Sequence, residues 1–227
     1  MARQKEQEIE ALKERVLKMG SLVEESIRRS IKALVDRDRQ LALAVIDGDA
    51  IVNNLDVEIE EDCIRFLALW QPTGSNLRFV TTAIKIITDL ERMGDLAVDI
   101  CERAVELLDE PQLKPYIDIP RMAEAAQKML KDSLDAFVAR DADLALRVCQ
   151  ADDFVDNLNQ QLFNELLMYM LRDPKNIGRA VRLTYIAKDL ERIADHATNI
   201  AEMVVYQAKG KMIRHMACEV RKTGSEA

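Results

Sequence analysis

The sequence predicts an all-α protein made of two tandem, pseudo-symmetric, antiparallel three-helix bundles, and three observations carry that expectation. Apolar residues recur every three or four positions over long stretches, the period of one helix face. Seven Gly and five Pro in 227 residues, with aromatic residues at 4%, leave little material for a β-rich fold. The third observation is internal repetition. The stretch Asp89-Leu90-Glu91-Arg92-Met93-Gly94-Asp95 returns one hundred positions later as Asp189-Leu190-Glu191-Arg192-Ile193-Ala194-Asp195, which marks a duplication.

Each element can be placed in turn. Ile9, Leu12, Val16, Met19, Val23, Ile27, Ile31 and Leu34 line one face of a first helix from about Gln4 to Val35, with Gly20 as a local soft point. Asp36-Arg37-Asp38 interrupts the pattern, and Asp38 suits the N-cap of a second helix reaching to about Trp70. Gln71 to Asn76 collects Pro, Gly, Ser and Asn and reads as a turn. A third helix then runs from about Ser75 to Leu108.

Glu110 to Pro120 holds prolines 111, 115 and 120 and no helical period, so it is expected to link two domains. The pattern then returns, with a helix from about Pro120 to Ala139, another from Asp141 to about Leu171, and a last one to about Lys209. Asp173 before Pro174 has the form of an N-cap followed by proline at the first helical position. The expected organisation is a first bundle over 1–110, a linker over 111–119, a second bundle over 120–210 and a C-terminal tail over 211–227 that carries Lys211, Arg214, Arg221 and Lys222 and ends in a frayed Thr-Gly-Ser-Glu-Ala. Short connections make successive helices antiparallel neighbours.

Charge and cysteine usage narrow the function. A net charge of -8 argues against nucleic acid, whose binding needs a basic surface. No apolar run approaches the length of a membrane span and the N-terminus lacks the apolar core of a signal peptide, so a soluble cytoplasmic protein is expected. Cys63, Cys101, Cys149 and Cys218 form no C-x-x-C pair, and are read as reduced thiols. There is no Gly-rich phosphate loop, no nucleophile motif and no Glu-x-x-His pair of the di-iron kind. Met93, Met122, Met129, Met168 and Met170 are read as core filling.

The repeated motif carries the chemistry that remains. At about 100° per residue, with Ile87 as zero, Glu91, Asp95 and Asp99 fall near 40°, 80° and 120°, beside the apolar arc. Glu191, Asp195 and Asn199 repeat that stripe in the second half. Asp49 and Asn53 on the second helix, and Asp152 and Asp156 on the fifth, have the i, i+4 spacing that puts them on one face, where antiparallel packing can set them opposite the stripes. Carboxylates stacked in this way repel unless a cation offsets them. Arg78, Lys85, Arg92 and Arg192 are candidates, and so are hard or borderline metal ions on oxygen ligands. His196 falls near 180° and is expected to face solvent without coordinating.

These features resemble the PhoU family of phosphate-signalling regulators over nearly the whole chain. The resemblance rests on Leu77-Arg78-Phe79, the two Leu-Glu-Arg motifs and Asp195-His196-Ala197-Thr198-Asn199-Ile200-Ala201-Glu202. It implies a cytoplasmic, homodimeric regulator that is not an enzyme. Such a protein restrains the phosphate-starvation response by acting between the ATPase of a phosphate ABC transporter and a membrane sensor histidine kinase. It also implies multinuclear sites for divalent or trivalent metal ions, with iron, manganese, magnesium, zinc and calcium all open. The family's Glu/Asp-x-x-x-Asp motifs match Glu91 to Asp95, Asp95 to Asp99, Glu191 to Asp195 and Asp152 to Asp156, while Asn53 and Asn199 depart from them. A carboxylate-bridged metalloenzyme and a metal-free helical adaptor stand as the alternatives.

Overall fold

The structure, a computed structural model, describes residues 2–210. The helices are α1 (Ala2–Asp36), α2 (Arg39–Trp70), α3 (Gly74–Leu107), α4 (Asp118–Ala139), α5 (Ala142–Arg172) and α6 (Ile177–Lys209), with no strand among the described residues. The expected basic tail, with Lys211, Arg214, Arg221 and Lys222, lies outside them.

Local chemistry sets the helix ends. Asp38 accepts from the backbone N–H of Leu41, and Asp141 accepts from those of Asp143 and Leu144, satisfying donors that a helix start leaves without partners. Gln71 and Arg140 close α2 and α4 in the left-handed conformation. Asp173 caps a single 3-10 turn, Pro174–Asn176, which comes before α6, so the proline opens that turn and not the α-helix itself. Gly20 does not soften α1. The helix runs unbroken, and a Cβ at Gly20 would lie 2.2 Å from Leu134 Cδ1 of α4. The glycine is the place where the two halves approach across α1 and α4.

Within each half the three helices pack on one another, and the halves join along α3 with α6 and α1 with α4. One apolar cluster runs from Ile9 of α1 to Val205 of α6 and takes residues from all six helices. The connection between the halves is tied down. Arg37 donates to the carbonyls of Leu108 (2.7 Å) and Glu110 (2.8 Å), Arg179 donates to that of Pro111 (2.9 Å), and Lys114 pairs with Glu165. Met93, Met122 and Met129 are buried as expected, but Met168 is 51% exposed. Among the described residues, no helix is long and apolar enough to cross a membrane.

Candidate metal centre

In the first half, α2 and α3 bring two acidic rows together because Gly94 has no side chain. A Cβ there would meet Asp49 Oδ1 at 3.2 Å and Val52 Cγ1 at 3.4 Å, so the glycine lets Asp49 lie against α3 beside Asp95. Asn53 Nδ2 donates to Asp49 Oδ2 at 2.7 Å, which holds the predicted pair of α2 together. Burial, then the charges of Asp95, Asp56 and Asp49, push the Glu91 carboxyl above the usual carboxylate range, with Arg92 pulling the other way. Asp95 is raised by burial, Asp49 and Asp99, and no cation opposes the shift. The carboxylates of the two helices therefore act as one electrostatic unit. Asp56 belongs to this unit and was not anticipated, although it lies seven residues after Asp49 on the same helical stripe.

The second half builds a related group. Burial, Glu191 and Asp156 raise the Asp195 carboxyl, while Lys188 and His196 pull it back. Asp152 is half-buried on α5 one turn before Asp156, with its Oδ1 shielded from solvent. Glu191 keeps Oε2 buried and forms an ion pair there with Lys188. Of the cations anticipated to balance the stripes, Arg92 acts on Glu91, but Arg78 donates to the Gln207 carbonyl at 3.2 Å and Arg192 acts on Asp189. Lys188 was missed, though it stands three residues before Glu191 on the same face.

Asp99 and Asn199 stand where each stripe meets the seam between the halves. Asp99 lies 3.8 Å from Arg103 Nη1, and Asn199 Nδ2 is 3.5 Å from Asp89 Oδ1, across the seam on α3. The expectation that His196 faces solvent is wrong. It is 9% exposed, with Nδ1 2.8 Å from Asp89 Oδ1. The face at about 180° on the wheel is covered by the other half, since α3 and α6 pack against each other antiparallel. At the opposite end of the seam the arrangement is mirrored. Arg103 Nη1 donates to Asp189 Oδ2 at 2.7 Å and its guanidinium lies over the Tyr185 ring. Leu96 and Met203, both buried and both on that face, were the signal in the sequence that it is not solvent.

The donor set fits a hard or borderline cation. It is made of carboxylates with an amide in each half, the oxygen chemistry that such ions favour, and burial followed by mutual repulsion raises Glu91, Asp95 and Asp195. Thiolates are unsuited, because burial pushes the Cys63 and Cys101 thiols up to about 12. As the side chains are placed, no three His, Cys, Asp or Glu groups among the described residues stand close enough to hold an ion. Rotation of these side chains, away from partners such as Asn53 and Lys188, would be needed to converge them.

Comparison with known proteins agrees with the duplication. Residues 16–104 and 119–204 each match the PhoU domain. A phosphate-specific transport system accessory protein PhoU homolog of Aquifex aeolicus is 46% identical over 208 residues, covering 92% of this chain and 94% of that protein. The homolog from Pseudomonas aeruginosa is 40% identical over 92% of this chain and 87% of its own length. Among solved structures, PhoU from Pseudomonas aeruginosa matches with a TM-score of 0.87 at 39% identity, over 91% of this chain and 99% of that one. The phosphate transport system regulatory protein PhoU from Streptococcus pneumoniae matches with a TM-score of 0.84 at 31% identity, over 92% and 98%.

Proposed function

The chain belongs to the PhoU family, and from that premise we propose that it is an accessory regulator of a phosphate-specific transport system. In the finer form of this reading it is a cytoplasmic, metal-binding, non-enzymatic protein. It restrains the phosphate-starvation response by coupling a phosphate ABC transporter ATPase to a membrane sensor histidine kinase. The observation that carries the metal part is the pairing of acidic rows on adjacent helices in both halves, where Glu91, Asp95 and Asp195 are raised by burial and then by carboxylates that include one across the helix boundary.

Asp49, Asn53, Glu91, Asp95 and Asp99 would hold ions in the first half, with Asp56 within reach, and Asp152, Asp156, Glu191, Asp195 and Asn199 in the second. Bound cations would supply positive charge that cancels the repulsion along each stripe. The residues themselves set the rest. Asp49 and Asp152 are half-buried, the exposed Asp95, Asp156 and Asp195 keep the sites open to solvent, and bound ions would tie α2 and α5 to α3 and α6. A surface of defined helix spacing is what a transporter subunit and a kinase would read.

Elemental analysis tests the metal part. The combined variant Glu91→Ala, Asp95→Ala, Glu191→Ala, Asp195→Ala is expected to lose most bound metal, and unchanged metal content would remove the site assignment. Recovery of the protein from cells grown in excess phosphate, with identification of what comes with it, tests the partners. One observation favours a metal-free adaptor, namely that Asn53 and Lys188 already occupy Asp49 and Glu191. Equal stability and equal partner binding in chelator would support that reading instead.

A further inference from the structure

We propose that Lys188 is a built-in competitor for cations at the second acidic group, so that the first group takes a metal ion more tightly than the second. The proposal rests on the metal-binding reading above and deepens it. The two halves correspond with an offset of one hundred residues through the repeated motif, and Lys188 stands where the first half has Thr88. Thr88 spends its hydroxyl on the Ile84 carbonyl of its own helix at 3.1 Å and reaches no carboxylate. Lys188 instead puts its ammonium on Oε2 of Glu191, an oxygen shut off from solvent. A cation entering the second group has to take Glu191 from that ammonium.

Three further observations agree. The charge of Lys188 also acts on Asp195, so it offsets two carboxylates of the group. In the first half Arg92 is the one cation that opposes the shift of Glu91, and none opposes that of Asp95. A displaced Lys188 also has somewhere to go. It lines an open groove of about 340 Å³ between α5 and α6, beside Asn159, Gln160, Thr184 and the Tyr185 ring. Amide oxygens and an aromatic face are partners an ammonium accepts. Lys188 is thus a lever with two resting places, one on Glu191 and one along this groove.

The duplication supplies its own controls. Glu91→Ala with Asp95→Ala leaves only the second group to titrate, and Glu191→Ala with Asp195→Ala leaves only the first. With Mn²⁺ as the probe, calorimetric titration of the full chain should show the first group binding more tightly. K188T in the first-blocked protein should tighten the remaining site about fivefold or more, and T88K in the second-blocked protein should weaken the remaining site by a similar factor. Helical circular dichroism confirms that each variant is folded, which the exposure of both positions favours. If both groups bind Mn²⁺ and neither exchange changes affinity, the role of Lys188 is overturned while the metal reading stands. If the unmodified chain binds none of Mn²⁺, Mg²⁺, Ca²⁺, Zn²⁺ and iron, both fall.

Discussion

The first aspartate of the repeated motif behaves unlike the acidic residues that follow it. Asp189 is 3% exposed and faces Arg103 of the other half. Burial pushes its carboxyl up to about 6, with Arg103 pulling it back. Arg103→Met places at this position the residue found at its counterpart, Met203, and leaves Asp189 buried without its cation. It is expected to destabilise the chain by roughly 2–4 kcal/mol, measured by denaturant unfolding, and Asp189→Leu in addition should restore part of the loss. The raised carboxyls also set a pH dependence. Asp189, Glu91, Asp95 and Asp195 bind protons in the folded chain at higher pH than in the unfolded one. Their contribution is therefore fully present below the ordinary carboxylate values and is lost as pH rises through the raised ones. Metal-free protein should gain thermal stability as pH falls from 7 toward 5, and saturating metal should flatten that gain. A melting temperature that drops steadily over the same interval in metal-free protein would contradict it.

Helices show how far sequence carries. The expected starts and ends lie within about two residues of those observed, except the start of α6, because Asp38, Asp141 and the Pro and Gly positions act through their immediate neighbours. Asp141→Ala should lower stability through loss of the cap, seen as a lowered denaturation midpoint with unchanged slope. Gly20 shows the limit. Its spacing on α1 suggested a weak point in a helix, whereas the reason for a glycine there is Leu134, more than a hundred residues away. Gly20→Val should cost roughly 1–3 kcal/mol by overpacking that contact, despite the better helix propensity of valine. If the variant were more stable, the close approach of α1 to α4 would be unimportant.

At the scale of the whole molecule the halves share one apolar cluster and a pinned connection, so thermal unfolding should show one cooperative transition. Two transitions separated in temperature, followed by calorimetry, would mean that the halves melt independently. The same joining explains what was legible. Helical class, duplication, the caps and the acidic rows follow from spacing along the chain, since residues three and four apart on a helix are neighbours whatever surrounds them. The rows of Asp49, Glu91 and Asp95 were thus readable, as were those of Asp156, Glu191 and Asp195. The seam was not. His196 and Asp89 lie on faces that a single bundle leaves to solvent, and only packing of α3 on α6 buries them. The spacing of Lys188 from Glu191 was legible, but the burial of the Glu191 oxygen it pairs with was not. Sequence by itself determined which groups share a helix face; the tertiary structure decided which faces are covered and by what, because burial and cross-helix charge arise between segments far apart in the chain.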